Sequence, residues 1–507
     1  MSTDEELVNA VLLPGFTGTT VPDWLARATD AGLAGVCLFV GNVGPDLPAL
    51  TAALHGRRSA LLVASDEEGG SVTRLDATGG PAWPGAAALG RLDDVTVTEA
   101  VAAGIGARCR DLGIDLALAP VADVNAEPEN PVIGIRSFGA TPELVARHTA
   151  AFVRGLQGAG TAATAKHFPG HGCTTVDSHR DLPVVGDDVA TVRARDMPPF
   201  AAAVAAGARC VLTAHVLFPA LDDRPGTMSP PLLSLLRREL GFDGVVISDA
   251  VDMAAIAATV GMGPGAVAAV AAGVDLVCIG NPQNGYDDEA GYATVRDALL
   301  AALRDGSLPR ERMAEAGRRV ADLAAWVRAT PACGGGAHGA GLRADVVLRE
   351  RASEHRRSKT TSQRPASPPE RSGGNQTQLE LGAQVVHRVT EVVGDVRIGP
   401  GAHVLDLRGA LNIADGRAGE PRVVGALRRH DPTVTAGPDA PADRPLVVVV
   451  HGPSASFDAA KAARPDAVAV HVGLPGAWRP PAPSLTVWGD GRAHADVAAA
   501  LLRPGSR

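Results

Sequence analysis

The sequence predicts an α/β protein: a (β/α)8 TIM-type barrel, followed by a linker and a smaller C-terminal α/β domain. Short apolar runs alternate with longer alanine-rich segments from the start of the chain to about residue 330, as expected of repeated βα units. The runs number about eight, which is the strand count of the barrel. Polar residues follow nearly every run, whereas a doubly wound open sheet, the alternative architecture, usually binds its ligand at one switch point.

The apolar runs are the predicted barrel strands. They cover residues 11–13, 36–40, 61–65, 114–121, 161–165, 210–214, 244–248 and 274–279. Helix-compatible segments between and after them cover residues 99–112, 142–157, 196–206, 230–240, 265–272 and 310–328. Several of these segments stop at glycine, which is favoured just after a helix. Residues 1–332 are therefore predicted to form the barrel domain.

The composition changes after residue 332. Cys333 is followed by three glycines, and residues 343–375 are rich in Arg, Ser, Pro and Gln. Because such a segment has too little apolar surface to fold by itself, residues 333–378 are predicted to be a flexible linker. Its arginines could instead contact an anionic partner.

Apolar runs return at residues 404–407, 446–450, 467–472 and 485–487, and a short helix is predicted near residues 494–502. Residues 379–507 are therefore predicted to form a second α/β domain. It contains no nucleotide-binding glycine pattern, and its residues do not indicate a role.

The charge of the chain argues against several classes of partner. A net charge of −9 over 507 residues gives no basic field that would attract nucleic acid. No apolar run approaches the roughly 18 residues that span a bilayer. The acidic N-terminus is unlike a secretory signal, so a cytoplasmic location is expected. A small-molecule partner is the expectation, and the sequence does not indicate an oligomeric state.

The six cysteines are scattered without a CxxC pair, which argues against both a disulfide framework and a structural zinc site. They are predicted to be buried free thiols. Three histidines, His171, His179 and His215, raise the question of a metal site. Because none of them stands in an HxH or HExxH pattern, neither a metal nor another cofactor is expected.

Residues 164–183 are the most informative stretch. Lys166 and His167 directly follow a predicted strand, and a proline and two glycines then enforce a loop. Asp177 stands two residues before His179, so its carboxylate can orient the imidazole and set its proton affinity, as a general acid/base requires. In an extended strand Lys166 and His167 would point to opposite sides, so a bend is needed for both to reach one pocket.

Asp249 follows the apolar run Gly-Val-Val-Ile-Ser, which would place its carboxylate at the rim of a pocket. A solvated helix cap is the alternative, and Asp252 could be that cap or face away.

Three more charged residues are candidates for ligand contact. Asp66 follows a predicted strand and begins the run Asp-Glu-Glu-Gly-Gly, which could otherwise be a hydrated turn. Arg74 and Arg136 could be surface charges. The residues next to Arg136 in the sequence are apolar or glycine, however, which argues against a solvent-exposed position for it.

Three motifs together resemble one known family over residues 8–330: Lys-His-Phe-Pro-Gly-His-Gly at 166–172 with Asp-Ser-His at 177–179, Ser-Asp-Ala-Val-Asp-Met at 248–253, and Asp-Glu-Glu-Gly-Gly at 66–70. They are similar to glycoside hydrolase family 3, in its β-N-acetylhexosaminidase branch. The resemblance implies a retaining exo-β-N-acetylglucosaminidase that forms a covalent glycosyl-enzyme intermediate. Cell-wall muropeptide fragments are the expected substrates, and chitooligosaccharides are the alternative.

The resemblance also implies roles for individual residues. Asp249 would be the nucleophile, and His179, supported by Asp177, would donate a proton to the leaving oxygen and later activate water. Sugar hydroxyl and N-acetyl groups would be held by Asp66, Arg74, Arg136, Lys166 and His167. His215 matches a position near the pocket with a less defined role.

A histidine acid/base suits this chemistry. A free imidazole has a pKa near 6.5, so it exchanges protons near neutrality and adds no second negative charge beside Asp249. Because histidine does not repel an incoming anion, phosphorolysis at the same site is an alternative. A catalytically silent sugar-binding protein is a further alternative, disfavoured because Asp249 and His179 are both present.

Overall fold

Parallel strands form the centre of the first 330 residues in the computed structural model, which describes residues 2–77, 79–330, 374–408, 422–474 and 478–503. In chain order the strands are β1 (Leu12–Pro14), β2 (Gly35–Leu38), β3 (Leu62–Ser65), the hairpin strands β4 (Glu67–Gly69) and β5 (Val72–Thr73), β6 (Leu116–Ala117), β7 (Ala162–Phe168), β8 (Cys210–Thr213), β9 (Val245–Ile247) and β10 (Val277–Gly280).

Six of these strands form one parallel sheet in the order β2-β3-β6-β7-β8-β9, and β1 pairs in parallel with β10. A parallel bridge between Ile247 and Leu276 joins the β9 edge to the start of β10. At the other edge, Ala34, just before β2, donates its amide to the carbonyl of Asn9, just before β1, at 2.9 Å. The result is a curled parallel sheet in a mixed α/β fold, which confirms the predicted α/β class.

Helices alternate with these strands. They are Asp4–Asn9, Asp23–Asp30, Leu47–Arg57, Ala86–Leu92, Val95–Asp111, Pro142–Gly158, Val189–Arg195, Met197–Ala205, Pro230–Ser234, Ala254–Ala257, Met262–Ala272, Asp288–Asp305 and Arg310–Ala329. The helix predicted at 230–240 is α-helical only to Ser234 and continues as a wider π turn, Leu235–Glu239. None of the described helices combines the length and hydrophobicity that crossing a bilayer requires.

The apolar core has two layers. Side chains such as Leu13, Leu116 and Ile247 belong to one buried cluster, while Val36, Val63 and Val246 belong to a larger cluster with the surrounding helices. Because parallel strands are buried on both faces, their sequences are nearly continuous apolar runs. This is why the strand positions could be predicted.

A second sheet lies after the first 330 residues. Its strands are β11 (Glu391–Val393), β12 (His403–Leu407), β13 (Thr435–Ala436), β14 (Leu446–Val450), β15 (Val468–His471) and β16 (Ser484–Thr486), in the order β11-β16-β15-β14-β12-β13. All neighbours are parallel except β11 with β16. The accompanying helices are Gly374–Val389, Arg422–Arg428, Ala455–Ala463 and Arg492–Leu502.

The predicted linker, residues 333–378, lies outside the described residues except for 374–378. Those five residues begin the helix Gly374–Val389. The described cysteines are free thiols, and all but Cys173 are buried. Cys333 lies outside the described residues.

Asp275 stabilises the end of the curled sheet at which the strands begin. Its side chain is fully buried and accepts hydrogen bonds from the Val246 amide at 3.0 Å and from Arg312 at 2.7 Å. Arg237 also donates to it. We expect Asp275→Ala to lower the free energy of unfolding by about 3 kcal/mol, because it removes the fully buried carboxylate that pairs with the partly buried Arg237 and Arg312.

Urea unfolding checks this expectation, with Asp297→Ala, a solvent-exposed aspartate, as the control. Asp275 lies at the end of the sheet opposite to the polar residues that follow the strands. The folded Asp275 variant should therefore keep kcat/KM within about threefold of the wild-type value. An unchanged free energy of unfolding would contradict the structural role.

Candidate active site

A cavity of about 400 Å³ opens where the parallel strands end; we call it the strand-end cavity. Seven of the nine predicted site residues line it: Asp66, Arg74, Arg136, Lys166, His167, His179 and Asp249. They come from positions as far apart as residues 66 and 249, and the curled sheet brings them together because the carboxyl ends of all its strands meet at one rim.

Lys166 is the centre of an ion network on one side of the cavity. Its Nζ lies 2.7 Å from Asp66 Oδ1 and 2.7 Å from Glu68 Oε1. Arg74 donates to the other oxygen of Asp66 at 2.9 Å. Burial opposes a charge on Lys166, but the carboxylates of Asp66 and Glu68 outweigh this and raise its pKa. The ammonium group is therefore held in its charged form.

Arg136 extends the network through a bidentate pair with Glu68, at 2.8 and 3.0 Å. Burial alone would raise the pKa of Glu68, but Arg136 and Lys166 outweigh it and lower the pKa to about 2. Burial of Asp66 is likewise outweighed by Lys166 and Arg74, so its pKa is also lowered. At neutral pH the network presents fixed, fully charged donors and acceptors, which suit a polyhydroxylated ligand.

Both Lys166 and His167 reach the strand-end cavity. Strand β7 runs to Phe168 and therefore contains both residues, whereas the predicted strand ended at residue 165. Its pairing with β8 shifts register between Lys166 and Phe168. That irregularity supplies the bend that the sequence required, since regular alternation would turn one of the two side chains away.

Asp123 fixes the orientation of His167. It accepts from His167 Nδ1 at 2.7 Å and from the backbone amide of His171, also at 2.7 Å. Arg136 approaches His167 Nε2 at 3.5 Å. The network assigns the proton to Nδ1, which leaves Nε2 as an acceptor on the cavity side. Burial would raise the pKa of Asp123, but His167 outweighs it and the pKa is lowered.

The loop after β7 carries the predicted acid/base. Gly172 packs directly on the Val124 carbonyl, where a Cβ would collide. The buried His171 ring then ties Thr174, at 2.7 Å, to Ser178, at 3.0 Å. Burial first, and nearby His167 second, lower the pKa of His171 to about 4, so this ring is neutral. His171 thus anchors the loop directly before His179.

Asp177 contacts the side chain and the backbone of His179. Its Oδ1 accepts from the backbone amide of His179 at 2.9 Å and from His179 Nδ1 at 2.7 Å. Although burial raises the pKa of Asp177, the hydrogen bond from His179 outweighs this and lowers it. With Nδ1 occupied and the side chain 24% exposed, His179 keeps Nε2 for a ligand in the cavity.

Asp249 follows β9 and faces the same cavity. Its Oδ1 accepts from the Ala250 amide at 2.9 Å. Burial would raise its pKa, but His215, His167 and His179 outweigh burial and lower the pKa. The group is therefore an anion near neutral pH, which is the form that a nucleophile needs.

His215 differs from its prediction as a substrate contact. The ring is fully buried and does not line the strand-end cavity. Its Nε2 lies 2.9 Å from the Ala250 carbonyl and its Nδ1 lies 2.8 Å from Thr227 Oγ1. Because this ring lies behind the backbone next to Asp249, it can position that turn without touching a ligand.

Sequence reasoning did not place Asp252 and its partners in the cavity. Asp252 Oδ2 accepts from the Asn281 amide at 2.9 Å and from Asn284 Nδ2 at 2.9 Å, and all three residues line the cavity. Burial, with Asp249 nearby, raises the pKa of Asp252 to about 6. The sequence did show Asn281 just after a predicted strand, but nothing in it paired Asn281 with Asp252.

Within the part of the chain that the structure describes, no three metal-ligating side chains form a cluster. His171, His179 and His215 each face different partners.

An anionic carboxylate, a carboxylate-oriented imidazole and a charged polar network thus share one strand-end cavity. The model of the glycosyl hydrolase family 3 N-terminal domain matches residues 29–323. The chain therefore belongs to glycosyl hydrolase family 3.

Relatives agree with this assignment. A β-hexosaminidase from Stenotrophomonas maltophilia is 37% identical over 316 residues, which are 59% of this chain and 91% of the relative. β-Hexosaminidase A from Pseudoalteromonas piscicida is 33% identical over 332 residues, 60% of this chain but only 55% of the relative's length. A solved β-N-acetylglucosaminidase of this family from Paenibacillus sp. FPU-7 superposes with a TM-score of 0.80 at 28% identity, covering 99% of this chain and 96% of that one.

Proposed function

We propose that this protein is a retaining exo-β-N-acetylglucosaminidase that works through a covalent glycosyl-enzyme intermediate. The observation that carries the proposal is that Asp249 and the His179–Asp177 pair meet in one cavity beside a charged, polar network. The β-hexosaminidase relatives support N-acetylglucosaminides as the substrate class.

In the first step, Asp249 attacks C1 of the terminal sugar while the bond from C1 to the leaving oxygen breaks. Protonated His179 gives its Nε2 proton to that oxygen, so the leaving group departs as a neutral alcohol. Asp177 remains a carboxylate and stabilises the imidazolium form of His179 before the transfer. Neutral His179 then remains beside a glycosyl ester on Asp249.

In the second step, His179 takes a proton from water, and the resulting hydroxide attacks C1. The bond to Asp249 breaks, its carboxylate is restored, and His179 is again protonated. Two displacements at C1 retain the β configuration. A single imidazole thus serves as both acid and base, and no second carboxylate has to be kept protonated near Asp249.

The ion network would hold the non-reducing sugar. Lys166, Arg74 and Arg136 can donate to hydroxyl or acetamido oxygens, while Asp66 and Glu68 accept from hydroxyl groups. His167 Nε2 offers one more acceptor. Because the charges hold one another in place, the network needs little rearrangement when a sugar binds.

We further infer the organisation of the whole chain. Strands β1 and β10 would complete an eight-stranded barrel within residues 1–332, and residues 379–507 would form a C-terminal α/β domain. The family model ends at residue 323, and the second sheet has an apolar cluster of its own; both support this division. Cell-wall muropeptide fragments remain the proposed substrate and the cytoplasm the proposed location, as the sequence suggested.

Paired p-nitrophenyl β-glycosides of N-acetylglucosamine and glucose test the proposal, assayed with and without phosphate. We expect hydrolysis of the N-acetylglucosaminide, with the β anomer appearing first by NMR. A preference for glucose would contradict the substrate class, and an α-anomer product would contradict retention. Formation of a sugar 1-phosphate would instead identify phosphorolysis, and binding without turnover would indicate a sugar-binding protein.

A further inference from the structure

Residues next to the second sheet contact the first 330 residues of the chain directly behind the ion network. One point of contact is the turn of the β4–β5 hairpin, and strand β4 of this hairpin carries Glu68. Gly491 packs against the Gly70 carbonyl, where a Cβ would come within 2.8 Å. Arg422 reaches across to the Ala77 carbonyl at 3.4 Å. The C-terminal residues therefore form part of the surroundings of the sugar-binding residues.

The contacting segment is residues 488–491, which join β16 to the helix Arg492–Leu502; we call it the 488–491 loop. Two arginines hold it: Arg408 donates to the Asp490 carboxylate, and Arg422 donates to the Asp490 carbonyl at 2.6 Å. Trp488 has a φ of 60°, a left-handed conformation that bulky residues rarely adopt. Such a conformation persists only where surrounding contacts enforce it, and it often marks a functional position.

A cavity that holds about one water molecule separates the 488–491 loop from Glu68 and Arg136. Trp488 and Gly489 form one side of it. Glu68 and Arg136 also line it, and both line the strand-end cavity as well, so their ion pair borders both spaces. The indole Nε1 of Trp488 is buried and has no hydrogen-bond partner among the described residues.

We propose that Trp488 is a positioning residue for the sugar site, acting through the Glu68–Arg136 ion pair, and that the C-terminal unit serves the reaction in this way. The proposal rests on the proposed glycosidase function. The indole ring closes the space behind the ion pair and limits water there, which strengthens the pair and keeps the guanidinium in place. Trp488 touches no ligand itself, since it does not line the strand-end cavity.

Trp488→Asn tests the proposal, because asparagine tolerates a positive φ better than other side chains and so removes the ring with little added backbone strain. We expect KM for p-nitrophenyl β-N-acetylglucosaminide to rise about tenfold while kcat changes less than about threefold. The dissociation constant of N-acetylglucosamine, from calorimetry, should rise in parallel. Trp488→Phe, which keeps a ring, should stay within about threefold of the wild type.

Trp478→Asn is the matched control, since Trp478 belongs to the same unit but packs on Phe457 and His471. Its KM should change less than about twofold. Equal KM changes in the two asparagine variants, or no change in Trp488→Asn, would overturn the proposal. If Trp488→Asn fails to fold, Trp488→Gly decides, because glycine also removes the ring and adopts a positive φ freely: a comparable rise in KM supports the proposal and an unchanged KM overturns it.

These outcomes are separable from failure of the proposed function. A wild type that binds N-acetylglucosamine without hydrolysing the aryl glycoside would refute the glycosidase reaction. The dissociation constants of Trp488→Asn and Trp478→Asn would still test the positioning role.

Discussion

Asp249→Ala is expected to lower kcat/KM for p-nitrophenyl β-N-acetylglucosaminide by about four orders of magnitude or more. The carboxylate is the group that would bond to C1, and alanine has no nucleophilic atom to replace it. Its pKa is lowered by His215, His167 and His179, which outweigh burial. Protonation of Asp249 should therefore lower the activity only at a pH below the ordinary pKa range of an aspartate.

The fold should survive this change, because the hydrogen bond described for the Asp249 side chain comes only from the next residue, Ala250. Far-ultraviolet circular dichroism and thermal unfolding check this point. Asp297→Ala, on the surface, is the matched control and should keep wild-type kcat/KM. Residual activity within about tenfold of the wild type would contradict a nucleophilic role for Asp249.

His179→Ala is expected to slow cleavage according to the leaving group. With an alkyl or sugar leaving group, which needs protonation, kcat/KM should fall about 10²–10⁴-fold, the usual contribution of a general acid. With 2,4-dinitrophenolate, which leaves without a proton, the first displacement should change much less. A plot of log kcat/KM against leaving-group pKa should therefore become steeper in the variant.

Asp177→Asn provides a graded test of the same pair. It keeps the shape of the side chain but removes the charge that stabilises the imidazolium form, so its effect should have the same leaving-group dependence as His179→Ala and be smaller. Equal losses in His179→Ala for good and poor leaving groups would contradict the acid role. His171→Ala is unsuitable as a control, since His171 anchors the same loop.

Much of the fold could be predicted from the sequence because the strands are buried on both faces and read as continuous apolar runs. The boundaries of the strands could be predicted less accurately. Strand β6 is only Leu116–Ala117, although the apolar run extends from 114 to 121, since hydrogen-bonded pairing rather than hydrophobicity sets strand length. Helices such as Leu47–Arg57 were missed because their apolar periodicity is weak.

The site was predictable where chemistry follows directly from position along the chain. Lys166, His167 and Asp249 stand at strand ends, and Asp177 is two residues from His179. Partners distant in sequence were not predictable: Glu68 pairs with Arg136 across 68 positions. The burial of His215 behind Ala250 depends on how the turn after β9 folds, which no local pattern encodes.

Trapping the covalent intermediate tests the central claim most directly. The enzyme would be incubated with 5-fluoro-N-acetylglucosaminyl fluoride, digested, and the labelled peptide sequenced by mass spectrometry. We expect one sugar per chain, bonded to Asp249, with no labelling in Asp249→Ala. A sugar bonded to any other side chain would contradict the claim, as would turnover of the natural linkage with inversion at C1.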